Sequence, residues 1–152
     1  MANVLTLSSH YRILMHDART GRLLSDDTYP NLVCQPGKNY IAAWLNQEGG
    51  YAANPTIYGA VGTSSVAVTG TETQLGAEVA RSAMAVQTRL LNVLTWSFVL
   101  TATQGNVSQQ EVGIFLGGTT VANSGSLLSR VLQVKVKDVT MIETVQYILT
   151  VG

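Results

Sequence analysis

The chain has 152 residues, with nine Lys and Arg balanced by nine Asp and Glu, and only 12% of it is charged, against about a quarter in an ordinary soluble domain. One domain of this length can bury a proper core without metal or disulfide, and a zero net charge argues against nucleic-acid binding, whose affinity depends on a basic patch. A surface short of mixed charge is unusual for a lone monomer, so the composition predicts a subunit covered by neighbours.

The first nine residues alternate weakly apolar and polar side chains, which reads as an extended arm (residues 1–9) ahead of a single domain (residues 10–152). They hold no basic stretch, long apolar run or small-residue cleavage site, which predicts synthesis in the cytoplasm without a signal peptide. Residues 11–16 and 22–24 flank Asp17-Ala-Arg-Thr-Gly21, a hairpin turn by its Asp and Gly. Pro36-Gly37 then breaks the chain. Residues 38–47 read as a helix with Tyr40, Ile41, Trp44 and Leu45 on one stripe, ended by Gly49-Gly50. Residues 57–61 form a short strand, and Thr71-Glu72-Thr73-Gln74 reads as a cap for a helical turn through residues 75–81.

The remainder is β by its period of two. Strands are predicted over residues 83–91, 92–103, 110–116, 127–137 and 141–151, separated by Gly105-Asn106, Gly117-Gly118, Asn123-Ser124-Gly125 and Lys137-Asp138. The fold class that follows is mainly β, a sandwich or barrel-like sheet with one or two short helices and an N-terminal arm or hairpin. Residues 49–71, 90–110 and 112–129 carry no formal charge, but Thr, Ser, Asn, Gln and Gly interrupt each too often for a membrane helix.

Acid–base chemistry needs a poised titratable group beside a partner, and the histidines, His10 and His16, lie in the first hairpin. Ser9 and Asp17 alternate sides of an extended strand around them, which does not make a triad. His16, Asp17, Asp26 and Asp27 lack any metal-ligand spacing. Gly59 to Ser65 resembles a phosphate loop only superficially, because the Lys that meets the phosphates is missing. Cys34, alone, reads as a small buried hydrophobe, and Trp44, Trp96, Phe98, Phe115 and Tyr147 read as packing. No cofactor, metal, catalytic group or small-molecule substrate is expected. Glu78, Arg81, Glu111 and Arg130 sit among apolar neighbours. Because charges are seldom buried unpaired, Glu111 is expected to pair with Arg81 or Arg130 as a structural ion pair, a subunit contact being the second choice.

The order of short motifs from Asn31 onward resembles a family of tailed-bacteriophage virion proteins. The matching pieces are Asn31-Leu32-Val33, Gly37-Lys38-Asn39-Tyr40-Ile41-Ala42, Gly59-Ala60-Val61-Gly62-Thr63 and the Thr-x-Leu-Gly-x-Glu-x-x-Arg run from Thr73 to Arg81. Glu111-Val112-Gly113-Ile114-Phe115, Leu127-Leu128-Ser129-Arg130 and the closing run from Thr144 to Val151 complete them. The sequence departs from that pattern at Ser64 and in the short link Gly105-Asn106-Val107-Ser108.

The resemblance implies a non-enzymatic structural protein on the virion surface, a capsid cement or decoration subunit that stabilises the assembled head, or alternatively a tail-tip, baseplate or fibre-base part. A sugar-binding module is the third reading. The implied partners are the major capsid protein and its own copies, as a homotrimer, with no nucleic acid and no membrane. On that reading Val4, Leu5, Thr6 and Leu7 of the arm add a strand to a neighbour, while Arg12, Arg19, Arg22 and Lys38 meet an acidic capsid surface.

Overall fold

The computed structural model describes residues 5–51 and 54–152. Along the chain run β1 (Leu7–Asp17), β2 (Leu23–Val33), α1 (Gln35–Leu45), β3 (Ile57–Gly62), β4 (Glu78–Ala83) and β5 (Val86–Leu90). They are followed by β6 (Val93–Leu100), β7 (Ser108–Leu116), β8 (Ser126–Val136) and β9 (Met141–Val151). The protein is mainly β: its nine strands form one antiparallel sheet in the order β4-β3-β7-β8-β2-β1-β9-β6-β5, curled into a half-barrel.

Two features produce the curl. At one corner β2, paired with β1 along most of its length, forms a main-chain ladder with β8 only at Leu32 with Arg130 and Val33 with Ser129. At the other, the two ends of the strand order are consecutive in sequence: only Met84 and Ala85 separate β4 from β5. Met84 N–H donates to Ile57 O at the start of β3, and Ala85 N–H donates to Ser97 O on β6. One bent stretch of chain therefore serves both edges, and the sheet divides into a five-stranded half (β2-β1-β9-β6-β5) and a four-stranded half (β4-β3-β7-β8).

The core lies between the halves. β9 turns Glu143, Val145, Tyr147 and Leu149 inward and leaves Ile142, Thr144, Gln146, Ile148 and Thr150 half-buried on the outside, the period of two expected of a strand with one covered face. Its inward residues join Tyr11 and Ile13 of β1 and Phe98 and Leu100 of β6, against Val61, Val112, Ile114 and Leu128 opposite. The Tyr11 and Tyr147 rings lie 5.1 Å apart, and the Tyr11 hydroxyl hydrogen-bonds the Ser129 hydroxyl across the core, tying β1 to β8.

The predicted strands lie close to the observed ones from β6 onward, and β9 coincides with its predicted range. The hairpin is longer than predicted: β2 runs through Asp26, Asp27 and Pro30, residues that disfavour strands, because β1 offers it a partner throughout. Residues 7–9, assigned to the arm, are the start of β1, and Thr6 exchanges both main-chain bonds with Gly152; Val4 lies outside the described residues. Pro36 sits in the first turn of α1, where a missing N–H leaves nothing unpaired. The buried stripe of α1 is Gly37, Tyr40 and Ala43, so Trp44 (43% exposed) and Leu45 (61%) face outward rather than packing as expected. The capped helical turn over residues 75–81 is absent: the chain is irregular up to Ala77 and enters β4 at Glu78.

Gly59, in the middle of β3, lies directly beneath Phe98: a Cβ there would come within 1.9 Å of the ring. Gly59→Ala is expected to cost about 3 kcal/mol through forced repacking. Gly49→Ala, where nothing lies within 4 Å, should leave stability unchanged or slightly raised. Denaturant unfolding of the two variants checks the pair.

Candidate interaction surface

Glu111 sits in the centre of β7 with no exposure, on the face opposite the main core. A carboxylate there is tolerable only if every lone pair is engaged. Its Oε2 accepts from Arg130 Nε at 2.7 Å and from Gly76 N–H at 3.0 Å, and its Oε1 accepts from Ala77 N–H at 2.8 Å and Ser64 N–H at 3.3 Å. Gly62 makes this approach possible, since a Cβ would lie 2.4 Å from Glu111 Oε1. The loop over residues 63–77 is thus drawn across the outside of the four-stranded half. Leu75, fully buried, packs with Ala60, Phe115, Leu127 and Cys34 in a second small core beneath it. Two of the amides a helical turn over 75–81 would contain are held by Glu111, and that is why no helix forms.

The same face carries a second pair. Glu78 and Arg81, on β4, meet through Arg81 Nε to Glu78 Oε1 at 2.6 Å, with side chains 2% and 6% exposed. Arg81 Nη1 donates to Thr119 O and to the Ser124 hydroxyl, and Glu78 Oε2 accepts from Asn123 N–H. The guanidinium also lies 4.7 Å from the Phe115 ring centroid. Asn123, in a left-handed conformation (φ 56°), caps Leu75 N–H with its side-chain oxygen, so the 117–125 loop and the 63–77 loop are locked together.

A third group lies where the halves meet. Gln109 donates to Glu143 at 2.7 Å and accepts from Gln133 at 3.0 Å, all three buried, while the Lys137 ammonium donates to Thr101 O and Asn106 Oδ1. Burial raises the Glu143 pKa above the ordinary carboxylate range; its hydrogen bond from Gln109 and the nearby Lys137 and Lys135 only partly oppose this. Burial likewise lowers the Lys137 pKa.

Six of the eighteen charged side chains, Glu78, Arg81, Glu111, Arg130, Lys137 and Glu143, are thereby taken inside. The chain's own loops cover the outside of the four-stranded half over β3, β7 and the first part of β8, although Val134 and Val136 at the end of β8 stay exposed. Among the described residues no such loop crosses the outside of the five-stranded half. Register places Val86, Thr88 and Leu90 of β5 beside Ser97, Thr95 and Val93 of β6, then Gln146, Ile148 and Thr150 of β9, then Arg12, His10 and Ser8 of β1. Leu14, Thr28, Thr144 and Ile142 extend it. This broad β face, made mostly of Thr, Ser, Gln and aliphatic residues, holds one ion pair, Arg12 with Asp26 at 2.6 Å. It is the candidate interaction surface.

Arg130, not Arg81, is the partner of Glu111; Arg81 is engaged by Glu78. Leu5 is exposed at the start of the described chain, Leu7 packs against the core, Arg12 is held by Asp26, and Arg19, Arg22 and Lys38 are exposed. His10 and His16 share the outer face of β1, away from Ser9 and Asp17. Asp17 instead closes the turn by accepting from Arg19 and Thr20, and Asp27 pairs with Lys135. Among the described residues no three His, Cys, Asp or Glu are placed to hold a metal, and no helix is long and apolar enough to cross a membrane. Cys34 is buried and its thiol is pushed up to about 11, mainly by burial. The Gln109–Glu143–Lys137 group was not anticipated, although the inward parity of Glu143 with Val145 and Tyr147 was a readable signal. No known protein family, curated protein or solved structure matches this chain.

Arg130→Met should cost about 3–5 kcal/mol by leaving Glu111 buried and unpaired. Adding Glu111→Leu should fail to restore stability, as it would for a simple pair, because Gly76 and Ala77 N–H would then lack their acceptor. Denaturant unfolding of the single and double variants measures both.

Because the folded-state pKa of Glu143 is raised, its stabilising contribution is complete below the ordinary glutamate pKa of about 4.3 and is lost as pH rises through the folded value. Glu143→Gln should flatten that decline in stability from mildly acidic toward higher pH, as read from melting temperatures across a pH series.

Proposed function

We propose that this protein is a non-enzymatic virion subunit, a capsid cement or decoration protein that binds the assembled head through the open face of its five-stranded half. One observation carries the reading. A chain this poor in charge takes a third of its charges inside and covers one half with its own loops, yet leaves a broad, nearly uncharged β face open. A half-exposed sheet face of Thr, Ser, Gln and aliphatic side chains, Val86 and Leu90 among them, is suited to contact with another protein. Mass action supplies the mechanism: a subunit that binds only the assembled shell stabilises it. The face includes His10, Arg12, His16 and Asp26, so polar contacts with the capsid fall in the first hairpin.

Quantitative mass spectrometry of purified particles tests the assignment. A copy number comparable with that of the major capsid protein supports a cement role. A few copies per particle would move the subunit to the tail tip or fibre base, and absence from the particle would overturn the reading. Thr144→Lys, which places a charge in the middle of the face, should leave the melting temperature nearly unchanged while lowering capsid attachment about tenfold or more. A sedimentation assay of protein with capsids measures it.

A further inference from the structure

We infer that β5 is a self-pairing edge, through which two copies of this chain join antiparallel about Thr88. β5 ends the strand order, and all five of its residues are exposed. It closes onto β6 through the two residues Leu91 and Asn92, with Leu90 opposite Val93. In such a hairpin the closing pair is hydrogen-bonded, and the antiparallel ladder alternates from there. Val86, Thr88 and Leu90 therefore turn their main-chain groups toward β6, and Gln87 and Arg89 turn theirs to the open side.

The sequence Val86-Gln87-Thr88-Arg89-Leu90 is self-complementary in that register. A two-fold at Thr88 sets Val86 against Leu90 of the second copy and Gln87 against Arg89. Each Gln87–Arg89 pair exchanges two main-chain hydrogen bonds, and neither arginine faces its own copy. Leu91 supplies an independent sign. It adopts a left-handed φ of 54°, a conformation disfavoured for Leu, and is 79% exposed, beside Leu90 at 76%. The fold of one copy gives no use for an aliphatic side chain there, whereas in the pairing Leu91 covers the small Ala85 of the second copy. The two-fold runs perpendicular to the sheet, so the two open β faces become one. The pairing holds whatever larger assembly the subunit joins, and it predicts a dimer where sequence resemblance implied a trimer.

Thr88 and its counterpart form a non-hydrogen-bonded pair with Cα atoms about 4.5 Å apart, within disulfide reach. Under mild oxidation Thr88→Cys is expected to crosslink into a dimer about tenfold or more faster than Leu90→Cys, whose counterpart lies four residues away, at roughly 13 Å. The buried Cys34 does not compete. Analytical ultracentrifugation of the unmodified chain should show a dimer, and Arg89→Pro, which removes an outward N–H, should give a folded monomer by sedimentation and circular dichroism. A monomeric or trimeric wild type, or equal crosslinking at positions 88 and 90, would overturn the inference.

Discussion

The arrangement depends on how the Glu111 carboxylate is satisfied. Placed at the centre of β7 with no exposure, it is surrounded by one guanidinium and three loop amides. Those contacts decide the path of residues 63–77, seat Leu75 over the second small core, and leave Arg130 beside Cys34 and the start of α1. An uncompensated buried carboxylate costs several kcal/mol, so the loop cannot lift away independently of the strand. The segment has no regular secondary structure, but it is fixed by the strand it covers.

From this follows the asymmetry of the molecule. The four-stranded half has apolar residues on both faces of β7, and it can do so because its outer face is roofed by its own loops, held by Glu111–Arg130 and Glu78–Arg81. The five-stranded half has no such roof. Its central strands β1 and β9 keep a clean alternation, with the inner residues buried and the outer ones half-exposed. Its outward side chains are the Thr, Ser, Gln and aliphatic residues of a surface suited to burial against protein. The low charge of the sequence therefore has two structural destinations: charges withdrawn into loop anchors on one side, and an open, nearly neutral sheet on the other.

Much of this was legible where local chemistry decides structure. The alternation in residues 141–151 specifies β9 and its inward face, and the Asp17 and Gly21 turn specifies the first hairpin. What was not legible is non-local. Thr71 to Gln74 has the spacing of a helix cap, but Glu111, more than thirty residues away, takes the amides that the helix would use. Asp26, Asp27 and Pro30 are poor strand residues and extend only because β1 is there to pair with. Arg81 and Arg130 were equally good partners for Glu111 by composition; only the sheet register, which sets Glu111 opposite Leu132 and Gly113 opposite Arg130, distinguishes them. For Trp44, helical periodicity fixes a stripe, but contact with β8 at Gly37 decides which stripe turns inward.

Native-state hydrogen exchange at the Gly76 and Ala77 amides tests the central claim most directly. They lie in an irregular loop, yet they are bound to a buried strand carboxylate. The structure predicts that both exchange as slowly as the amides of β7, opening only when the whole domain unfolds. Exchange at the rate of a freely exposed loop would show that Glu111 does not anchor the loop and would contradict the account.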